Sequence, residues 1–264
     1  MKISDIDNGK AFDFGKTSAD YAQYRDIYPD SLYAKMLDAG IGRSGSKILD
    51  LGTGTGVFPR RMCRFGASFH GVDISSEQIH EARRLCTDQH LPVTFSVGAA
   101  EDIAFPDKSF DAVTAVQCFL YFNKEKVLPT IHQVLRDDGL FATVWMAWLP
   151  GESEIAGKTE DLILKYNSGW QGCGYTRQGS DVPEWSLPYF RIRRIENYVE
   201  DIPFDATSWM GRIRACRGVA ASMDPDTIKR FQDEHEAMLS GLTVKTFTIP
   251  HQILIHVFDK KLET

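Results

Sequence analysis

Strand-like and helical patterns of apolar residues alternate along the chain from residue 46 to about residue 147. Short apolar runs typical of strands occupy Lys47–Leu51, Ala67–Asp73, Val93–Val97, Phe110–Val116 and Leu140–Trp148. Between these runs, helices are predicted over residues 57–65, 75–91 and 124–135. The fourth run is apolar along most of its length, as in a strand that is covered on both faces. Strands separated by helices predict an α/β protein with a parallel sheet and right-handed crossovers.

The pattern changes after Pro150, where the regular alternation ends. Residues 151–188 combine glycines with scattered aromatic side chains and show no sustained periodicity. Further on, we predict a strand over residues 191–204, helices over 205–218 and 224–239, and a terminal strand over 243–259. Asp224 followed by Pro225 is a helix-start signal, because proline fits the first helical position. This half of the chain therefore adds helices and two strands to the α/β pattern.

Composition and charge narrow the class of protein. A chain of 264 residues is long enough to bury a full core. Its composition is 43% hydrophobic and 25% charged, as is ordinary for a soluble protein. No apolar run approaches the roughly 20 residues that span a bilayer, and no signal-peptide segment is found at the N-terminus, so a cytoplasmic location is expected. The formal net charge of -6 argues against non-specific nucleic-acid binding.

The five cysteines are scattered and include no Cys-x-x-Cys pair. An odd number at irregular spacing favours reduced thiols over a disulfide framework or a zinc site. We therefore expect no bound metal.

The segment Leu51-Gly52-Thr53-Gly54-Thr55-Gly56 joins the first predicted strand to the first helix. Glycines at alternating positions form a turn without β-carbons, so a ligand can lie against backbone N–H groups at a helix N-terminus. The spacing differs from the Gly-x-Gly-x-x-Gly of most dinucleotide-binding proteins. Asp73 ends the second strand, where a carboxylate can accept hydrogen bonds from both hydroxyls of a ribose. The turn and Asp73 together indicate a cofactor that contains a nucleoside.

Four motifs follow one another within residues 20–148. The first two are Ile48-Leu49-Asp50-Leu51-Gly52-Thr53-Gly54-Thr55-Gly56 and Gly71-Val72-Asp73-Ile74-Ser75. The others are Ala100-Glu101 with Phe105, and Ser109-Phe110-Asp111. In this order they resemble the class I S-adenosylmethionine-dependent methyltransferases, most closely the small-molecule branch with the ubiquinone- and menaquinone-type enzymes. The resemblance implies a Rossmann-like three-layer sandwich, with a mostly parallel seven-stranded sheet, an antiparallel last strand and a helical cap.

The resemblance implies which residues contact the methionine portion of S-adenosylmethionine. Gly52, Thr53 and Gly54 would hold it through the backbone of the turn. Asp50 would lie beneath the turn, where it orients the backbone or meets the amino group. Gln117, just past the fourth strand, would lie near the methyl group.

The resemblance also implies contacts to the adenosine portion. Asp73 would accept hydrogen bonds from the ribose hydroxyls, and Ile74 would pack on the adenine. Ala100, through its N–H, and Glu101 would contact the adenine edge. Relatives commonly carry an aspartate where this chain has Ala99, so the contact to the adenine amino group would pass to Glu101 or to a backbone carbonyl.

The segment Tyr21-Ala22-Gln23-Tyr24-Arg25 precedes the first strand. It is similar to a Tyr-x-x-Tyr-Arg segment in relatives whose N-terminal helix closes over the cofactor. By that resemblance, Arg25 would pair with the cofactor carboxylate and Tyr21 would cover the methyl end. A solvated arginine and two tyrosines that pack a docking helix explain the segment equally well.

Methyl transfer requires little acid–base chemistry from the protein. The sulfonium is already electrophilic, so catalysis consists mainly of in-line alignment of acceptor, methyl group and sulfur, with water excluded. A base is needed only where the acceptor must lose a proton. For each of the seven histidines a surface or packed role is favoured, so we assign no catalytic residue.

The acceptor site is expected to involve the N-terminal segment, the loop 119–122 and residues after 150. The last group carries aromatic side chains that suit a flat or apolar acceptor or, alternatively, form the core of a cap: Tyr166, Trp170, Tyr175, Trp185, Tyr189 and Trp209. Arg212, Arg214 and Arg217 follow Trp209. Our hypothesis is that one of these arginines contacts an acidic group of the acceptor, and the alternative is a solvated basic stripe.

The predicted domains are an N-terminal helical segment over residues 1–45 that closes over the cofactor, and an S-adenosylmethionine-binding core over 46–150. Two further domains are predicted. One is a cap over 151–242 with a sheet strand near 191–199, and the other is a terminal strand of the core sheet over 243–264. The predicted function is methyl transfer from S-adenosylmethionine to a small molecule, without nucleic-acid partners or a membrane span.

Two other functional classes are weighed against this prediction. A non-catalytic S-adenosylmethionine-binding protein would keep the same cofactor residues. An NAD(P)-dependent oxidoreductase would need another glycine spacing and would leave Ala100 and Glu101 without a role. The methylated atom and the oligomeric state stay open.

Overall fold

The computed structural model describes residues 1–262, which divide into two compact units. We name the first the helical unit, which consists of Met1–Tyr28, Ala147–Gln178 and Val199–Gln252. The second is the sheet unit, which consists of Pro29–Met146, Gly179–Tyr198 and the chain from Ile253 onward. The division differs from the predicted limits, because residues 29–45 and 179–198 belong to the same unit as the core of the sheet. Residues 263 and 264 of the predicted terminal segment lie outside the described residues.

The sheet contains seven strands among the described residues. They are β1 Lys47–Leu51, β2 Ser68–Asp73, β3 Val93–Val97, β4 Phe110–Val116, β5 Leu135–Trp148, β6 Phe190–Asp205 and β7 Thr246–Lys260. Their order is β3-β2-β1-β4-β5-β7-β6, and the first five pair in parallel. The last strands are antiparallel, so the mostly parallel, Rossmann-like sheet is confirmed.

The centre of the sheet is the apolar core of the sheet unit. Leu49 and Leu51 of β1 and Val113 and Ala115 of β4 are fully buried and belong to one hydrophobic cluster. Helices cover both faces of a parallel sheet, which is why these strands are apolar without strict alternation. Since β1 pairs in parallel with β2 and with β4, the carboxyl ends of these three strands lie next to one another. A binding site is expected at this edge of the sheet.

The α-helices within residues 1–262 are α1 Ser18–Tyr24, α2 Asp30–Asp38, α3 Val57–Met62, α4 Ser76–Asp88, α5 Lys124–Val134, α6 Glu154–Tyr166, α7 Ala206–Arg214 and α8 Pro225–Ser240. Ser75 caps α4 by accepting a hydrogen bond from the Gln78 N–H at 3.2 Å. Asp224 caps α8 by accepting one from the Thr227 N–H at 3.0 Å. Both caps lie at the predicted helix starts, residues 75 and 224. Of the helices described, none is long and apolar enough to cross a membrane.

Helix α6 is absent from the sequence prediction, which found no periodicity over residues 151–188. Its buried face consists of Ala156, Thr159, Glu160 and Ile163, so two of the four inward positions are polar. Thr159 Oγ1 donates to the Ile155 carbonyl at 2.7 Å, and Glu160 Oε1 accepts from Trp148 Nε1 at 2.6 Å. Because these polar groups form hydrogen bonds, this face of α6 can be buried although it is not continuously apolar.

Several aromatic residues after Pro150 are core residues of one unit or the other. Trp185 packs in the sheet unit, with its ring centroid 4.6 Å from that of Phe119. Trp209 of the helical unit is 0% exposed, and its Nε1 donates to Thr159 Oγ1 at 3.0 Å. Trp170 is also buried. The alternative of a cap core therefore applies to Trp170 and Trp209, whereas Trp185 packs against the core cluster of the sheet unit.

Candidate functional site

The glycine turn lies in the sheet unit, between the end of β1 and the start of α3. Gly52, Gly54 and Gly56 have φ angles of 62°, 57° and 72°, in the left-handed region that favours glycine. A β-carbon on Gly52 would lie 2.7 Å from both the β-carbon and the sulfur of Cys118. Glycine is therefore required at position 52 by its backbone conformation and by close packing.

Asp73, at the end of β2, connects the glycine turn to the neighbouring strand. Its Oδ2 accepts a hydrogen bond from the Gly54 N–H at 2.8 Å, and its Oδ1 accepts one from the Ser75 N–H at 2.9 Å. Burial raises the pKa of Asp73, and these backbone hydrogen bonds oppose the increase. Each carboxylate oxygen has a second lone pair and the residue is partly exposed, so Asp73 can also accept hydrogen bonds from a ligand.

Two backbone N–H groups of the turn have partners inside the sheet unit. The Thr53 N–H donates to the Val72 carbonyl at 3.0 Å, and the Gly54 N–H donates to Asp73. A ligand held at Thr53 and Gly54 would therefore be contacted through their carbonyl oxygens instead of these N–H groups. Carbonyl oxygens accept hydrogen bonds, so they suit the ammonium group of an amino acid.

Asp50 lies at the end of β1, beneath the turn, and is 2% exposed. The Thr114 hydroxyl on β4 donates to its Oδ1 at 2.6 Å. Burial raises the pKa of Asp50 to about 7, although the hydrogen bond from Thr114 opposes the increase. A cation that binds beside Asp50 would reverse this effect, because it favours the ionised carboxylate.

An exposed apolar surface flanks Asp73. Ile74 is 57% exposed and Val97, which lies opposite Asp73 in the β2–β3 register, is 51% exposed. Large apolar side chains with this exposure beside a partly buried carboxylate suit a nucleoside, whose flat base covers apolar surface and whose ribose donates hydrogen bonds. The residues present therefore fit the adenosine portion of a cofactor.

Ala100 and Glu101 lie in a 3₁₀ turn that follows β3. Ala100 is 6% exposed and belongs to the core cluster of the sheet unit. Glu101 Oε1 accepts a hydrogen bond from the N–H of Asn123, the residue that caps α5, at 2.7 Å. Glu101 therefore has a structural contact that the sequence did not predict, and its second oxygen takes no part in that bond.

Gln117 directly follows β4 and adopts a φ of 64°, which is uncommon for a residue with a side chain. Its N–H donates to the Val144 carbonyl at 2.9 Å, and its Nε2 donates to the Met146 carbonyl. These bonds hold a strained backbone at the strand end, as occurs at functional sites.

Cys118 contacts the glycine turn and was missed by the sequence analysis, which named Phe122 only as part of the acceptor loop 119–122. Cys118 is buried and its Sγ donates to the Leu51 carbonyl at 3.0 Å. The ring of Phe122 lies 3.2 Å from the β-carbon position of Gly52. No local pattern marks either residue, since both contact the turn only after the sheet has formed.

Tyr21 and Arg25 belong to the helical unit and contact each other across one turn at the end of α1. The Arg25 guanidinium lies 4.7 Å from the centroid of the Tyr21 ring, and its Nη2 lies 3.5 Å from the Tyr21 hydroxyl. Their predicted contacts to the carboxylate and methyl end of the cofactor stay a prediction.

The three arginines that follow Trp209 have different environments within the helical unit. Arg214 forms an ion pair with Asp20, and Arg217 forms one with Asp7. Arg212 is 4% exposed and contacts Trp148 and Cys216 instead of a carboxylate. The alternative of a solvated basic stripe is therefore wrong for Arg212, and ion pairs account for the other two.

Several known proteins with similar sequence or structure are named as methyltransferases. Residues 48–139 match the family of methyltransferase domains. An uncharacterized methyltransferase of Mycobacterium bovis is 30% identical over 157 residues, which cover 57% of this chain and 61% of that protein. A demethylmenaquinone methyltransferase of Tropheryma whipplei is 41% identical over 76 residues, or 28% of this chain and 30% of that protein. The structure of a putative methyltransferase from Bacillus halodurans has a TM-score of 0.57 at 15% identity, with 88% of this chain and 100% of that chain covered.

The family match over residues 48–139 includes the glycine turn and Asp73. The match to the mycobacterial relative covers 61% of its length, and the likeness to the Bacillus structure shows the fold. The match of residues 48–139 to methyltransferase domains agrees with the resemblance drawn from the four sequence motifs.

Proposed function

We propose, with the methyltransferase domain of residues 48–139 as the premise, that this protein transfers the methyl group of S-adenosylmethionine to a small-molecule acceptor. The observation that carries the proposal is the environment of Asp73. Its partly exposed carboxylate is bonded to the glycine turn through Gly54 and is flanked by the exposed side chains of Ile74 and Val97. Ribose hydroxyls and an adenine ring have the chemistry that this environment requires.

The adenosine portion of the cofactor is assigned to four residues of the sheet unit. Asp73 accepts hydrogen bonds from the ribose hydroxyls with the lone pairs that its backbone bonds leave. Ile74 packs on the adenine, and the N–H of Ala100 and the second carboxylate oxygen of Glu101 contact its edge. Since this chain has Ala99 where relatives commonly have an aspartate, Glu101 is the acidic side chain for the adenine amino group.

The methionine portion is assigned to the glycine turn and to Asp50 beneath it, and the resemblance adds Arg25 for the carboxylate. The backbone of Gly52, Thr53 and Gly54 contacts the amino group through carbonyl oxygens. Asp50 beneath the turn supplies a negative charge for the same ammonium group. Arg25, with Tyr21 stacked against it, is assigned to the cofactor carboxylate.

S-adenosylmethionine supplies a methyl group on a sulfonium, so the protein has to position the acceptor and exclude water. Gln117 is assigned to the methyl end, because hydrogen bonds to two carbonyls hold it rigidly at the end of β4. We assign no general base. Burial lowers the pKa of His251 to about 3 and that of His235 to about 4, so neither buried imidazole is suited to take up a proton.

Two alternatives to this function remain distinct in what they predict. A non-catalytic S-adenosylmethionine-binding protein would bind the cofactor and release no S-adenosylhomocysteine. An NAD(P)-dependent oxidoreductase is disfavoured by the spacing of Gly52, Gly54 and Gly56 and by the methyltransferase relatives. The demethylmenaquinone enzyme does not identify the acceptor, because the similarity covers 30% of its length.

Release of S-adenosylhomocysteine tests the proposed activity. The full chain is incubated with S-adenosylmethionine and fractions of a metabolite extract, and S-adenosylhomocysteine is quantified by mass spectrometry. We expect one or more fractions to give product with the wild type and much less with Asp73→Asn. Product formation that is unaffected by Asp73→Asn would contradict the assignment of Asp73, and cofactor binding without product in any fraction would favour the non-catalytic alternative.

A further inference from the structure

Arg212, on α7 of the helical unit, is a buried guanidinium that no carboxylate neutralises. It is 4% exposed, and no carboxylate within residues 1–262 forms an ion pair with it. Its Nη1 donates to Cys216 Sγ at 3.1 Å, and its guanidinium lies 4.9 Å from the centroid of the Trp148 ring. Its Nε is buried and has no hydrogen-bond partner among the described residues. A buried charge in this state is unfavourable unless a ligand supplies the missing anion.

Two other arginines of the helical unit are partly buried, and each is paired with an aspartate. Arg214 donates to Asp20 through Nε at 2.6 Å, and Arg217 donates to Asp7 through Nε at 2.7 Å. The side chain of Arg217 is almost as buried as that of Arg212, yet it has its aspartate. Of the three arginines that follow Trp209, Arg212 is therefore the one without a carboxylate partner among the described residues.

A second positive charge lies close to Arg212. Burial and, after it, the charge of Arg25 lower the pKa of Arg212 to about 10. Arg25 contacts Tyr21 and has no ion pair with a carboxylate in the described part of the chain. Two guanidinium groups without a counter-ion repel each other, and the planar fork of each suits a carboxylate.

His251 adds a hydrogen-bond acceptor beside these charges. It is 0% exposed, and its Nδ1 donates to the Ile249 carbonyl at 2.8 Å, because a carbonyl oxygen can only accept. In the neutral ring Nε2 is therefore an acceptor, and it is buried with no partner among residues 1–262. Arg212 and Arg25 both disfavour protonation of His251, and its pKa is lowered to about 3, chiefly by burial.

We propose that Arg212, together with His251, forms a subsite for a carboxylate of the methyl acceptor. The Arg212 guanidinium binds the carboxylate, and His251 Nε2 accepts a hydrogen bond from a hydroxyl or amine beside it. Charge balance favours the acceptor as the source, which rests on the proposed function. S-adenosylmethionine brings a single carboxylate, which the proposed function assigns to Arg25, so the cofactor leaves Arg212 without an anion.

The subsite is tested with acetate, the smallest probe that carries the proposed group. Thermal unfolding of the full chain is measured with sodium acetate, with sodium chloride at equal ionic strength, and with acetamide. Of the three solutes, we expect only acetate to raise the Tm of the wild type. The increase should be about 2–4 °C for each kcal/mol by which acetate binding stabilises the folded protein. The increase should vanish in Arg212→Gln and persist in Arg230→Gln, which removes an exposed arginine of α8. Equal shifts with acetate and chloride, or an acetate shift that persists in Arg212→Gln, would overturn the proposal.

The source of the carboxylate is tested by titration with S-adenosylhomocysteine. An acceptor subsite predicts that Arg212→Gln changes its Kd by less than about twofold, whereas a tenfold loss, about 1.4 kcal/mol, would assign Arg212 to the cofactor and overturn the acceptor assignment. If the wild type does not bind S-adenosylhomocysteine at all, the proposed function fails, while the acetate result still decides whether the carboxylate subsite exists.

A stability measurement covers the case in which Arg212→Gln folds poorly. Removal of an unpaired buried charge relieves an unfavourable interaction, so unliganded Arg212→Met should melt at or above the temperature of the wild type. Arg214→Met, which leaves Asp20 without its partner, should melt at a lower temperature. An Arg212→Met variant that melts lower than Arg214→Met would show that Arg212 is a structural residue.

Discussion

The carboxylate of Asp73 accepts a hydrogen bond from the backbone N–H of Gly54 at 2.8 Å, so a single side chain connects the ends of β1 and β2. Its other oxygen accepts from the N–H of Ser75, the residue that caps α4. One carboxylate therefore orients a glycine turn and the start of a helix. The same carboxylate is partly exposed beside Ile74, so a ligand that binds Asp73 contacts a position already fixed by the fold.

Asp73→Asn is expected to weaken cofactor binding and to lower stability. An asparagine has only one acceptor oxygen, so it cannot accept from both Gly54 and Ser75 and also from ribose hydroxyls. We expect Kd for S-adenosylhomocysteine, measured by calorimetry, to rise at least about tenfold, and the free energy of unfolding to fall by about 1–3 kcal/mol. Asp102→Asn, at an exposed aspartate of the turn after β3, serves as the control and should match the wild type.

Gly52→Ala is expected to destabilise the sheet unit more than a glycine-to-alanine change at another left-handed position does. A left-handed alanine costs about 1–2 kcal/mol, and the new β-carbon would also lie 2.7 Å from Cys118. Gly45→Ala is the matched control, because Gly45 has a φ of 83° and no atom within 4 Å of its β-carbon position. Urea unfolding should show a loss for Gly52→Ala that exceeds the control by about 1–3 kcal/mol. Equal losses would mean that the close packing at Gly52 is unimportant.

Asp50 is expected to make the stability of the folded protein decrease with rising pH. Its pKa is about 7 in the folded chain against an ordinary value of 3.8, so the folded state retains the proton more strongly. The resulting stabilisation is complete below about pH 4, decreases by about 1.4 kcal/mol per pH unit above it, and is lost once the pH exceeds about 7. Asp50→Asn cannot titrate, and its oxygen can accept the same hydrogen bond from Thr114. Urea unfolding of both proteins at several pH values should give profiles that diverge between these limits, and parallel profiles would refute the raised pKa.

Trp209→Phe is expected to lower stability without a direct effect on the cofactor. Trp209 is 0% exposed and donates a hydrogen bond to Thr159, so the smaller ring leaves a cavity and an unfulfilled hydroxyl acceptor. We expect a loss of about 1–4 kcal/mol in urea unfolding, against less than about 0.5 kcal/mol for Phe65→Ala, which removes a ring that is 46% exposed. The Kd for S-adenosylhomocysteine should be unchanged, and a large change would give Trp209 a role in binding instead of the core.

The sequence predicted those features that depend on local pattern. Gly52, Gly54 and Asp73 were recognisable because turn chemistry and strand ends are encoded within a few residues. Helix α6 was missed, since Thr159 and Glu160 interrupt its buried face. Its burial depends on partners that lie elsewhere in the chain, such as Trp148 for Glu160.

Long-range contacts account for the rest of what the sequence could not predict. Cys118 contacts the carbonyl of Leu51 across 67 positions of the sequence, and Arg214 pairs with Asp20 across 194. No periodicity or motif reports such a pairing, so the three arginines after Trp209 could not be distinguished. Arg212 is identified as the unpaired one only through the partners that the fold gives to Arg214 and Arg217.

The central claim is that the glycine turn and Asp73 bind S-adenosylmethionine, and calorimetric titration of the full chain tests it most directly. S-adenosylmethionine, S-adenosylhomocysteine and NAD⁺ are titrated separately into the wild type. We predict one-to-one binding of both adenosyl ligands and no measurable heat from NAD⁺. Binding of NAD⁺ in the absence of any binding of the two adenosyl ligands would contradict the account.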